Sequence, residues 1–286
     1  MITASGIKFI QSLRQKKYRD RHGVFVAEGD KIVRELADSH LQIEMVCGLK
    51  GWVSENAQLL PAETTCFTIS EKQLSRLSNL KTPNQVLAVV KKPDTEALID
   101  EKPENLVLVL DKLQDPGNLG TIIRTADWFG IRNIFCSHDT ADVYNPKVIQ
   151  STMGSFIRTR IVYTELKKLL EKTGMNVYGA FLEGTSLYET KPDFPAALVI
   201  GNESGGISAD IEPYITSKVF IPRHAAGNGT AAINGSGEGN NPGVASKNPG
   251  AAGNNPGVAS SNPGVNGPES LNAAIAAGIM MSWFRM

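Results

Sequence analysis

At 286 residues, with 41% hydrophobic and 20% charged, the chain has the composition of a globular protein and length for two ordinary domains. A formal net charge of zero excludes a wholly basic nucleic-acid coat but leaves room for a local basic patch. Three widely spaced cysteines, Cys47, Cys66 and Cys136, form neither a disulfide framework nor a metal site; reduced thiols, a cytoplasmic location and no bound metal are expected. The N-terminal residues show no charged-then-apolar signal pattern. The longest apolar run, Leu271–Phe284, is interrupted and falls short of the roughly 20 residues a membrane span requires.

In chain order, helical spacing over Ile7–Lys17 opens the sequence. Arg14, Lys16, Lys17, Arg19 and Arg21 follow against one anion, Asp20, a density that suits phosphates or, equally, a solvated helix face. Gly23–Ala27 is strand-like, and Glu28-Gly29-Asp30 turns into a helix through Leu36. Met45–Cys47 makes a short strand. Ser70, with Gln73 three residues on, predicts a capping box for a helix over Glu71–Leu77. Val86–Val90 is a further buried strand, and 94–104, which contains Pro103, is a linker.

Beyond the linker, strands are predicted at 106–110, 133–136, 159–162, 176–180, 197–201 and 218–221, and helices at 118–129, 146–153, 164–173 and 270–285. That alternation predicts an α/β fold with a mostly parallel sheet and helices on both faces. The expected organisation is a small α/β domain over 1–93, the linker, and a second domain over 105–286. Residues 225–268 break the pattern. They carry two charges, Glu238 and Lys247, and an Asn-Pro-Gly repeat beginning at Asn241, Asn248, Asn255 and Asn262. Such a composition buries too little to offset ordering entropy, so a low-complexity, disordered insert is expected.

Three segments could carry chemistry. In the first, Asp115–Gly130, an apolar strand feeds a turn and a helix whose packing stripe is Leu119, Ile122, Ile123 and Ala126; Arg124 lies off that stripe. No G-x-G-x-x-G or G-x-x-x-x-G-K-[ST] phosphate fingerprint occurs. In the second, a buried strand containing Leu198 runs into Gly201, Asn202, Glu203 and Gly206, where glycines allow close backbone approach. In the third, Ile221-Pro222 ends a strand, and Ser270-Leu271-Asn272 opens a helix of small residues with Ser270 as the expected N-cap.

Together and in this order, the segments resemble the SpoU (TrmH-type) RNA 2′-O-ribose methyltransferases of the SPOUT superfamily. Asn118, Gly120 and Arg124 match the family's N-x-G-x-x-x-R motif, and Gly201, Asn202, Glu203 and Gly206 match G-N-E-x-x-G. Ile221, Pro222, Ser270, Leu271 and Asn272 match the third motif. Gly23–Lys31 resembles part of the small RNA substrate-binding domain often fused ahead of such enzymes. The chain departs from the family between Pro222 and Ser270, where relatives have only a few residues. Lengthening a loop of ~4 residues to ~48 costs about 2 kcal/mol in closure entropy.

The resemblance implies a deep trefoil knot, S-adenosylmethionine as cofactor, a homodimer, and methylation of a ribose 2′-hydroxyl in structured RNA, ribosomal rather than transfer RNA. Carried onto this sequence, it implies a catalytic set of Arg124, Asn118, Glu203, Ser270 and Asn272. Cofactor contacts would come from Leu198, Gly201, Asn202, Gly206, Ile221, Pro222 and Leu271. RNA contacts would come from Arg14, Lys16, Lys17, Arg19, Arg21 and Lys147. Arg124 is read either as a desolvated base or as a charged clamp; a guanidinium pKa above about 12 favours the clamp. The alternative function is an RNA-binding protein of the same fold whose methyl transfer the insert impairs.

Overall fold

The four-stranded sheet of the N-terminal part is built on β1 (Val24–Glu28), which is buried along its whole length. Its alternation splits the core: Phe25 and Ala27 join one apolar cluster, while Val24 and Val26 join the opposite one. The strand order is β1, β4 (Val86–Lys91), β2 (Ile43–Leu49), β3 (Thr65–Ile69). β4 runs antiparallel to both β1 and β2, and β3 is parallel to β2 at the edge. One face is covered by Ile32, Val33 and Leu36 of α3 (Asp30–Ala37). The other takes Ile7 and Ile10 of α1 (Ala4–Ser12), with Leu74 and Leu77 of α5 (Glu71–Leu77). The Ser70–Gln73 capping box forms as the sequence predicts.

This computed structural model describes residues 2–95, 105–223 and 270–285; the predicted insert 225–268 and most of the predicted linker lie outside the described residues. Two departures from the sequence reading concern the N-terminal part. The helix expected over Ile7–Lys17 is two helices, α1 and α2 (Lys16–His22). The break is held by side chains: the Arg14 guanidinium donates to the carbonyls of Arg76, Leu77 and Ser78, and Arg19 donates to those of Leu13 and Arg14. The second departure is α4 (Lys50–Asn56) and β3, neither of which was expected. The one buried residue of β3 is Ile69, so its alternation signal is faint.

The C-terminal part is a six-stranded sheet in the order β10, β8, β9, β5, β6, β7. In chain order these are β5 (Leu106–Leu110), β6 (Asn133–Cys136), β7 (Arg160–Tyr163), β8 (Asn176–Ser186), β9 (Ala196–Ile200) and β10 (Ser217–Phe220). All five pairings are parallel. The central strand β5 shows how both faces are covered. Leu106, Leu108 and Leu110 pack with α6 (Pro116–Trp128), α7 (Pro146–Thr152) and α9 (Ala273–Trp283). Val107 and Val109 pack with Leu166 and Leu170 of α8 (Leu166–Lys172). Gly120 permits α6 to approach α7 closely, since a Cβ there would lie 2.4 Å from Ser151 Cβ and 2.9 Å from the Val148 carbonyl oxygen.

Met1–Pro222 and Ser270–Met286 form one compact unit. Within it, Phe25 of the smaller sheet packs tilted against Tyr144 and edge-to-face against Phe156, with ring centroids 4.7 and 5.7 Å apart. Arg158 ties Glu35 of α3 to Asp127 of α6, each at 2.8 Å.

Candidate active site

The loops at the carboxyl ends of β5 and β9 meet the start of α9, the edge at which open parallel sheets place their ligands. α6 starts at Pro116, two residues earlier than predicted. Asp115 is its N-cap, accepting from the Asn118 amide at 2.7 Å, and Pro116 stands where no N–H is required. Asn118 is therefore held in the first helical turn. Its Nδ2 donates to Glu203 Oε1 at 3.1 Å, and its Oδ1 accepts from Asn272 Nδ2 at 3.0 Å. One residue from each of the three sequence segments thus enters a single hydrogen-bonded chain. Glu203 also accepts from the backbone amides of Asp115 and Gln114 at 3.2 and 3.4 Å.

Asn272, not Ser270, is the N-cap of α9, accepting from Ala274 and Ile275 at 2.9 and 3.3 Å. Asn satisfies two orphan amides here, and Ser270 sits exposed two residues before the cap. The turn after β9 closes on itself through paired backbone bonds between Asn202 and Gly206 at 2.8 and 2.9 Å. Asn202 fills that turn: its Oδ1 accepts from Ser204 and Gly205, and its Nδ2 donates to the Lys112 carbonyl at 2.8 Å. Gly201 has no alternative, because a Cβ would lie 2.1 Å from the Gly206 carbonyl carbon. Gly206 itself has φ +65.

Buried Asp111, which sequence reasoning missed, clamps this turn by accepting from Ser208 N and Oγ at 2.7 and 2.6 Å. The available signal was an aspartate directly after an all-apolar strand. Asp115 was missed for a similar reason, although Asp-Pro is a recognisable helix opening.

Leu198 is corrected: it lies inside β9, paired on both sides with β5 and β8 and fully buried in the core, so it presents nothing to a ligand. Ile221 and Pro222 are half-buried, and Leu271 is 46% exposed. Arg124 is exposed on α6 and has no hydrogen bond or ion pair among the described residues. Four residues on, Trp128 is 85% exposed, and Ile275 on the neighbouring α9 is 56% exposed.

Among the N-terminal cations, Arg19 is also corrected. It is only 2% exposed, and its guanidinium forms two bonds to Asp142 Oδ2 at 2.6 and 3.2 Å besides those to Leu13 and Arg14. It therefore ties α2 to the loop between β6 and α7 and cannot meet a phosphate. Lys16 pairs with Asp20 at 2.7 Å, and Lys92 reaches the same carboxylate at 2.6 Å. Burial pushes the Asp20 carboxyl up, but the hydrogen bonds and charges of Lys16 and Lys92 outweigh it and hold the group below its usual range. Lys17 lies over the Tyr18 ring, Arg21 is exposed, and Lys147 stands 3.8 Å from Asp115. Among the described residues, no cluster of His, Cys, Asp and Glu is arranged for a metal, and no helix is long and apolar enough to cross a membrane.

Comparison with known proteins assigns the two sheets separately. Residues 105–228 match the model of the SpoU rRNA Methylase family, and residues 4–88 match an MRM3-like substrate binding domain. The 23S rRNA (guanosine(2553)-2′-O)-methyltransferase RlmP of Bacillus subtilis is 30% identical over 223 residues, covering 76% of this chain and 86% of that protein. A structure from Porphyromonas gingivalis assigned to the TrmH family of RNA methyltransferases is 33% identical, with a TM-score of 0.78 and coverage of 99% and 98%. An AdoMet-bound rRNA methyltransferase from Sinorhizobium meliloti is 25% identical, with a TM-score of 0.78 and coverage of 100% and 96%.

Proposed function

Because this chain belongs to the SpoU family of rRNA methylases, we propose that it transfers a methyl group from S-adenosylmethionine to a ribose 2′-hydroxyl in structured RNA, ribosomal rather than transfer RNA. The observation that carries the reading is the chain Glu203–Asn118–Asn272, which ties all three motif segments together at the carboxyl edge of the sheet. The alternative, an RNA-binding protein without transfer, gains no support from relatives that are themselves methyltransferases.

The residues present fit such a methyl donor. The turn after β9 offers backbone rather than a phosphate cradle, and Leu271 with half-buried Ile221 and Pro222 offers apolar surface for an adenosyl group. Gly201, Asn202, Gly206, Ile221, Pro222 and Leu271 would hold it, within the trefoil knot that the family resemblance implies. S-adenosylmethionine supplies an electrophilic sulfonium methyl, so the difficult chemistry resides in the cofactor.

The chain's own work is positioning and charge. Asn118, Glu203 and Asn272 fix the loops against one another, and Ser270 stands exposed beside them to meet substrate. Arg124, free of any described partner, grips an RNA phosphate and stabilises the negative charge that develops as the 2′-hydroxyl gives up its proton. Residues 1–93 act as the RNA-gripping domain, with Arg14, Lys16, Lys17 and Arg21 facing phosphates, joined by Lys147 of α7. Exposed Trp128 and Ile275, on adjoining helices beside Arg124, support a homodimer that covers them.

The test is transfer of tritiated methyl from S-adenosylmethionine to unmodified large-subunit rRNA, with the product mapped for 2′-O-methylation. One modified ribose is expected; RNA that binds and stays unlabelled overturns the reading.

A further inference from the structure

A cleft of about 450 Å³ lies between the smaller sheet and α7. Its size falls within the ~300–1,000 Å³ usual for small-ligand sites. Three cations, Arg14, Lys81 and Lys147, line it against a single carboxylate, Glu28. That carboxylate is already engaged: it is buried and accepts from the Ser78 hydroxyl, the Asn79 amide at 2.9 Å and Asn79 Nδ2 at 2.7 Å. Glu28 therefore shapes the loop that carries Lys81.

The remaining lining divides by chemistry. Val26, Leu80, Pro146 and Ile149 give an apolar floor. Around it stand amides with unspent capacity. Asn79 donates to Glu28, leaving its Oδ1 open, and Asn145 accepts from Lys147 N at 2.9 Å, leaving its Nδ2 open. Gln150 and Lys81 have no side-chain partner among the described residues. An apolar floor can face a ring, amides can bond its edge and cations can meet the adjoining phosphates, and a base splayed out of single-stranded RNA presents these three kinds of group together. One lining residue also touches the candidate site: Lys147 stands 3.8 Å from Asp115, which caps the helix bearing Asn118 and Arg124.

We infer that this cleft holds an unpaired base of the substrate RNA close to the methylated nucleotide, with Lys81 on its phosphate and Gln150 on its edge, and so reads sequence context. This inference rests on the proposed RNA methyltransferase activity.

The test uses the full chain, an unmodified large-subunit rRNA transcript, and the variants Lys81→Ala and Gln150→Ala. Methyl-donor binding and circular dichroism check that each variant folds. Lys81→Ala should weaken transcript binding at least threefold and flatten the dependence of log K on log salt by roughly 0.7. Gln150→Ala should weaken binding with the salt slope unchanged. A parent that methylates the transcript while both variants bind it with unaltered affinity and slope overturns the cleft and leaves the activity standing. A parent that transfers no methyl to the transcript overturns the activity, and the cleft with it.

Discussion

Two arginines, one in each half of the molecule, stand in opposite sequence contexts, and the fold reverses what each context suggests. Arg19 stands in a run of cations, yet it is buried against Asp142 and two carbonyls. Arg124 stands alone in an apolar helix, yet it is exposed with no described partner. Local charge density pointed to the wrong member of the basic run, whereas a motif pointed to an arginine the fold leaves free. What decides a cation's availability is the partner the tertiary structure brings to it, and sequence distance conceals that partner: Asp142 is 123 residues from Arg19.

The largest effects should separate the pair. Arg124→Ala should lower methyl transfer by about 10²–10³, the range for losing one charge-stabilising donor. Its melting temperature and methyl-donor affinity should be unchanged, because an exposed site away from packing contributes within about 0.5 kcal/mol. Turnover like the parent's, measured with tritiated cofactor, would remove Arg124 from the chemistry. Arg19→Ala should do the reverse. It strands Asp142, whose side chain is 11% exposed, and removal of one partner from a buried pair costs about 3–5 kcal/mol. Urea unfolding should register that loss, while the fraction that remains folded keeps its transfer rate.

A smaller effect tests whether the three-segment junction acts as a unit. Asn118→Ala breaks the bonds to both Glu203 and Asn272, each worth about 0.5–1.5 kcal/mol net. A loss of about tenfold in transfer corresponds to about 1.4 kcal/mol. If the junction positions the site, Asn272→Ala should cost a similar factor and the double variant little more. Additive losses would mean the two residues act separately.

The halves also differ in how far the sequence revealed them. The parallel sheet was legible because β5 and β9 are wholly apolar runs bounded by turns, and because buried strands on both faces leave no competing pattern. That the three motif segments would meet was legible through motif spacing, but the geometry of the junction was not. That Asn272 would cap α9, and that Leu198 would sit too deep to touch a ligand, depend on where the helix starts and on which residues pair across strands. In the smaller sheet, β3 buries only Ile69, and the break between α1 and α2 is held in part by carbonyls more than sixty residues away and by Arg19, whose orientation is fixed by distant Asp142. Neither leaves a local trace.

The mildest prediction concerns Asp20, which gathers Lys16 and Lys92 on the surface of the basic segment. Its folded-state carboxyl sits below the ordinary carboxylate value, because the two lysines outweigh the effect of burial. A depressed folded pKa means the stabilisation is fully present above the unfolded value of about 3.9 and is lost as pH falls through the lower folded value. Asp20→Asn should therefore be slightly less stable than the parent at neutral pH, and the gap in urea midpoint should close as the pH drops below about 4. A gap that persists undiminished at pH 2 would show that the side chain stabilises by shape rather than by charge. The same variant sharpens the contrast between the two arginines. Neutralising Asp20 releases Lys16 and Lys92, so RNA affinity should hold or rise, whereas no surface substitution releases Arg19 from Asp142.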